Sequence, residues 1–236
     1  MKDAVNETTE EILARLMEQY DLSPGTLGEK DGYEWYDILN SAIYKLPENE
    51  FMLLLNLADE NCNNFWEYCP GLLWDIHSSY SLDTLVEAAR MADECGSLIP
   101  DYGEAFPVMA AGWGDLELIR RLVEEVGVSV HSYCLYDYEE ATGSMLSIAA
   151  RNGCVEICRY LLDKGASPNE SSLEDITSPL VEAVVNHQLE VARLLLERGA
   201  SLQDCFYYYD PFSPMDYARE NGHQDMVQLL EGYLES

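Results

Sequence analysis

Positive charge is what this sequence has least of. Thirteen lysines and arginines face 44 aspartates and glutamates, leaving a formal net charge of −31 over 236 residues. Affinity for nucleic acid comes mainly from Lys and Arg displacing counterions at phosphates, so direct nucleic-acid binding is not expected. An anionic membrane surface is disfavoured for the same reason. Long hydrophobic runs are also missing: the longest apolar clusters, such as Phe51 to Leu55, cover about a third of a membrane span. The opening residues, MKDAVNETTEE, have neither the apolar core of a signal peptide nor the arginines of a transit peptide, so a cytoplasmic setting is expected. Seven cysteines in that setting read as reduced thiols filling small core positions, not as a disulfide framework.

Catalytic signatures are absent as well. Gly112-Trp113-Gly114 lacks the further glycine spacing of a dinucleotide-binding loop, and there is no G-K-[ST], G-x-S-x-G, H-E-x-x-H or calcium-loop pattern. Neither an enzyme nor a cofactor is expected. With 47% hydrophobic and 11% aromatic residues, the chain is too apolar for a disordered acidic tail and must bury a core.

What the sequence does have is self-similarity. AFPVMAAGWGDLELIRRLVEEVG starts at Ala105, SMLSIAARNGCVEICRYLLDKGA at Ser144, SPLVEAVVNHQLEVARLLLERGA at Ser178 and SPMDYARENGHQDMVQLL at Ser213, at intervals of 39, 34 and 35 residues. Ser followed by Pro opens a helix well, because the hydroxyl caps free N–H groups and proline loses nothing in the first turn. The small residues Ala110-Ala111, Ala149-Ala150, Ala183 and Ala218 let the first helix of each unit lie close to its neighbours. Leu161-Leu162, Leu194 to Leu196 and Leu229-Leu230 supply the inward face of the second. Gly165-Ala166 and Gly199-Ala200 end that helix. These lines resemble the ankyrin repeat, with its T-P-L-H-x-A start and period of about 33 residues. The resemblance implies an all-α solenoid of about four repeats over residues 101–236 and a binding protein without catalysis.

Residues 1–100 lack this pattern but read as helical, serving as a cap or as divergent repeats. One stripe joins Ile12, Leu13, Leu16, Met17 and Tyr20 after a capping-box-like Thr8…Glu11. A second joins Trp35, Ile38, Leu39, Ala42, Ile43 and Leu46 and is stopped by Pro47. Further helices are expected from Phe51 to Glu60, around Phe65 to Trp74, and from Leu82 to Glu94. LLNLADENCNNF at Leu54 echoes the repeat start LSIAARNGCVEI.

Two constellations are candidates for function. His131, Cys134, Cys154 and Cys158 are residue types that suit zinc, but the spacing is unfamiliar, and Cys154 and Cys158 fall where a sister repeat carries Gln188 and Ala192. No metal is expected. His77, His187 and His223 have no evident partner. The second constellation lies between repeats, where the family has finger-like hairpins. It comprises Tyr133, Tyr136, Asp137, Tyr138, Glu139 and Glu140, then Glu170, Glu174 and Asp175, then Tyr207, Tyr208, Tyr209 and Asp210, with Trp113 beside the same face. Arg120, Arg121, Arg159, Arg193 and Arg198 belong to second helices, which the resemblance places on the opposite side. An acidic, tyrosine-rich face fits a basic protein partner, since tyrosine is enriched at binding hot spots and opposite charge steers encounter. The leading expectation is an acidic inhibitor or immunity-type protein that masks a basic, nucleic-acid-handling target. The alternatives are a general ankyrin adaptor, a nucleic-acid mimic used in counter-defence, and an enzyme in the N-terminal half.

Overall fold

The computed structural model describes residues 9–20, 32–62, 65–69, 71–94, 96, 98, 105–134, 143–170, 178–202 and 213–234. The chain divides into two compact units, Met1–Ser97 and Leu98–Ser236. Both are built from helices, and among the described residues the only extended pairing is one short hairpin in the second unit.

The first unit runs through α1 (Thr9–Tyr20), α2 (Gly32–Ala42), α3 (Glu48–Asn61), a 3-10 turn (Phe65–Tyr68), α4 (Leu72–Ser79) and α5 (Leu82–Glu94). Of the expected α1 stripe Leu13 and Leu16 are buried while Ile12, Met17 and Tyr20 are half-buried; the second stripe is buried throughout, Trp35, Ile38, Leu39 and Ala42 on α2, with Ile43 and Leu46 in the turn that follows. Thr8 lies outside the described residues. Pro47 is not what stops α2, which already ends at Ala42 in a turn; it stands instead at the N-cap position of α3 with φ −60°. The helix expected around Phe65 to Trp74 is instead two pieces. The sequence pair Pro70-Gly71 breaks it, and the α-helical part begins at Leu72. Leu54 sits inside the 14-residue α3, so its likeness to a repeat start is not matched by a helix start.

A carboxylate ties distant parts of this unit together. Glu48, in the first turn of α3, accepts hydrogen bonds from the Ser81 backbone N–H (3.0 Å), from the Ser81 hydroxyl and from Thr84 Oγ1 (2.5 Å) at the start of α5. These donors hold its carboxyl below the ordinary carboxylate range. Beside it, Tyr80 donates to the Leu46 carbonyl at 3.1 Å, and its ring lies 4.6 Å from that of Phe51.

In the second unit the described helices form four successive pairs. α6 (Phe106–Ala110) precedes α7 (Leu116–Arg121), which a wider π turn (Leu122–Val126) prolongs to Gly127. α8 (Met145–Arg151) precedes α9 (Val155–Asp163), α10 (Pro179–Val185) precedes α11 (Leu189–Glu197), and α12 (Pro214–Glu220) precedes α13 (Gln224–Leu234). First helices pack in sequence, α6 on α8 on α10 on α12, and second helices likewise, α7 on α9 on α11 on α13. A two-residue hairpin, β1 (Tyr133–Cys134) against β2 (Gly143–Ser144), leads into α8.

The local chemistry is the one expected from sequence. Ser144, Ser178 and Ser213 accept from the backbone N–H three residues on, at 3.1, 3.3 and 3.1 Å. Ala110, Ala111, Ala149, Ala150, Ala183 and Ala218 are fully buried, as are Leu161, Leu195 and Leu230. Gly165 and Gly199 end the second helices in the left-handed region, with φ of 104° and 88°. One buried ion pair links two first helices: Arg151 of α8 donates to both carboxylate oxygens of Glu182 on α10, at 2.9 and 3.1 Å, and Glu182 is only 3% exposed.

Candidate functional site

The inter-repeat segments are where sequence places the binding residues. The structure describes Trp113, Tyr133 and Glu170. Tyr136, Asp137, Tyr138, Glu139, Glu140, Glu174, Asp175, Tyr207, Tyr208, Tyr209 and Asp210 lie outside the described residues.

Trp113 sits in the turn after α6, half-buried, its ring edge-on to Phe106 at 5.5 Å. Tyr133, on β1 opposite Ser144, is 45% exposed and is among the most exposed large apolar side chains described. Glu170 is not a free carboxylate, because one of its oxygens contacts His131 Nδ1. Next to it, Asn169 donates to the Gly199 carbonyl at 3.1 Å and accepts from the Ser201 backbone N–H at 2.7 Å. The bases of three consecutive inter-repeat segments are therefore laced together, His131 to Glu170 and Asn169 to Gly199 and Ser201. Sequence alone did not reveal this lacing, since its partners lie 30 to 39 residues apart.

Cations of the second unit are largely consumed internally. Residues 98–236 hold eight Lys and Arg against 24 Asp and Glu, a balance of −16. Six of the eight are in ion pairs: Arg121 with Glu125, Arg151 with Glu182, Arg159 with Glu156, Lys164 with Glu124, Arg198 with Asp163 and Arg219 with Glu231. Arg120 lies over the Tyr160 ring, 5.6 Å from its centre. Burial and the neighbouring Glu124 push the Tyr160 hydroxyl up to about 12, so it stays protonated and donates to Glu124 at 3.2 Å. Arg193 walls an open groove of about 390 Å³ between α11 and α13, facing Asp225, Leu229 and Tyr233.

The metal-like set is dispersed by structural duties. Cys134 is buried on β1, His131 is engaged by Glu170, and burial pushes the Cys158 thiol up to about 12, away from the thiolate a metal would need. Cys154 reaches back to the preceding turn, its sulfur 3.6 Å from the Gly112 carbonyl. Gln188, at the same register one repeat later, donates to the Arg151 carbonyl at 3.2 Å. His223, at that register again, stacks on His187 of the preceding turn, with ring centres 4.0 Å apart. Two of the three histidines left without partners by sequence, His187 and His223, are thus each other's neighbours. Among the described residues no group of three or more His, Cys, Asp or Glu is arranged to hold a metal ion.

Comparison with known proteins agrees with this geometry. Residues 108–205 match the profile of a family described as ankyrin repeats (3 copies). This part of the chain consists of ankyrin repeats. The last helix pair, α12 and α13, follows the matched region and repeats its capped architecture. An ankyrin repeat protein of Rickettsia felis is 44% identical over 57 residues, covering 24% of this chain and 25% of that protein. The mouse B-cell lymphoma 3 protein homolog is 35% identical over 71 residues, 30% of this chain and 15% of the relative. Rat cyclin-dependent kinase 4 inhibitor B is 28% identical over 123 residues, 51% of this chain and 86% of the relative. The chain therefore spans a quarter or less of the first two. Ankyrin stacks are protein-binding modules that present an extended surface of side chains. Among the described residues no helix is long and apolar enough to cross a membrane.

Proposed function

We propose that this chain is a non-catalytic inhibitor-type binding protein that captures and masks a basic protein through the edge formed by its inter-repeat segments. The observation that carries this reading is the charge bookkeeping of the repeat unit. Six of the eight cations are already in ion pairs, and the unit as a whole keeps a surplus of 16 negative charges. Such a field raises the capture rate of a positively charged partner and repels nucleic acid. Tyr133, Tyr136, Tyr138 and Tyr207 to Tyr209 supply the aromatic anchors, and Asp137, Glu139, Glu140, Glu174, Asp175 and Asp210 the steering charge. A rat relative that aligns over most of its own length is named as an inhibitor of a kinase, which supports masking as the mode of action.

Affinity capture from cytosol on the immobilised full chain tests the proposal, with elution in steps of rising salt. A basic protein retained at low salt and released as salt rises is the expected result. A retained partner that is itself acidic, held equally at all salt concentrations, would overturn it. The adaptor reading draws on one feature of the first unit. Tyr44 is 72% exposed there, with its hydroxyl 3.5 Å from Asp75, a second aromatic-acidic surface remote in sequence from the repeats.

A further inference from the structure

The turns inside the repeats place a glycine in the left-handed region: Gly114 at φ 82°, Gly153 at 72° and Gly222 at 73°. At the corresponding position of the third repeat stands His187, with φ 54°. Among the described residues it is the only one other than glycine with positive φ, a conformation that costs energy for a side chain with a Cβ and persists only where surroundings enforce it. Three contacts do so. The His187 ring stacks on His223 at 4.0 Å with the planes 10° apart. Its Nε2 lies 2.9 Å from Asp225 Oδ1. That same carboxylate oxygen accepts from the Met226 backbone N–H at 2.9 Å, which fixes it in the first turn of α13. His187 belongs to the third repeat, and both its partners belong to the fourth.

We propose that His187, His223 and Asp225 form a proton-operated clasp between the last two repeats, closed while at most one of the two rings is an imidazolium and opened when both are. A first proton on His187 faces the Asp225 carboxylate, so it strengthens the contact. A second proton, on His223, would sit face to face with the first charge. It also finds no outlet on one edge, since His223 Nδ1 is buried without a hydrogen-bond partner. Arg193 of α11 lines a groove together with Asp225, and a further cation there does not relieve two charged rings. The other groups packed around the pair do not relieve this either. Tyr217 of α12 meets the His223 ring edge-on at 6.3 Å. Arg219 is paired with Glu231. On the side of the second repeat, Arg151 is paired with Glu182, and burial raises the Cys154 thiol so that it is neutral.

The sign of the pH dependence separates the clasp from its carboxylate. The hydrogen bond from His187 holds the Asp225 carboxyl below its ordinary value. Its contribution is therefore present above the unfolded carboxylate range and lost only as pH falls through that lowered value. Histidine charge changes at higher pH, between about 5 and 8. The clasp thus opens while Asp225 is still ionised.

Hydrogen exchange of the full chain at about pH 7.5 and pH 5.5, corrected for intrinsic exchange, reads this opening. Two variants use residues that sister repeats already carry, His223→Gln after Gln188 and His187→Gly after Gly153 and Gly222. At the lower pH the α12–α13 amides of the parent should open about fivefold more often, the size of one like-charge contact at this distance in water, while α8–α9 stays unchanged. That rise should be absent from both variants. A parent with no rise, or a rise that persists in either variant, overturns the proposal.

Discussion

Ala150 shows how little room the stack leaves for a side chain. It is fully buried on α8, which is packed between α6 and α10. Replacing it with leucine should cost roughly 1 to 3 kcal/mol through overpacking, read as a lower midpoint of denaturant unfolding; an unchanged midpoint would contradict the packing described. Residues of this kind were legible in the sequence because smallness recurred in register. His187 was not, since a histidine in a polar turn has no evident meaning until its sister positions are seen to be glycine with positive φ. Cys154 was legible as a small helix residue at the register of Gln188, and as a ligand by residue type alone. Its contact with the Gly112 carbonyl depends on how repeats stack, which spacing alone does not specify.

At the scale of elements, the repeat helices announced themselves through serine caps, prolines and terminating glycines, and the structure places them accordingly. The first unit was read less well because its helices share no period. Its interruption between Tyr68 and Leu72 follows the local Pro70-Gly71 pair, whereas its polar link from α3 to α5 arises from contacts 33 to 36 residues apart. That link is testable. Glu48→Gln should lower stability near neutral pH by about 1.5 kcal/mol, the worth of hydrogen bonds to a charged acceptor. Because the folded-state carboxyl of Glu48 is held low, its contribution exists above the unfolded value of about 4.3 and fades as pH falls through the lowered value. Thermal unfolding across pH should therefore show parent and variant converging in acid. A difference that stays constant down to that range would mean the carboxylate is not the stabilising species.

For the whole molecule, the excess of 44 acidic over 13 basic residues is the property most plainly legible in sequence, and residues 98–236 alone carry a balance of −16. Of the anchors named from sequence, Tyr133 is exposed, Trp113 is half-buried against Phe106, and Glu170 serves to brace neighbouring segments. Recognition of a basic partner is the central claim, and binding kinetics against the captured partner at several salt concentrations test it most directly. Truncating Tyr136 or Tyr138 to alanine should mainly speed dissociation, costing about 2 kcal/mol or more at a hot spot. Neutralising Asp137, Glu139 and Glu140 together should mainly slow association and flatten its dependence on salt. If both sets of variants associate and dissociate like the parent, the acidic tyrosine-rich segments are a solubilising surface and the proposed site is wrong.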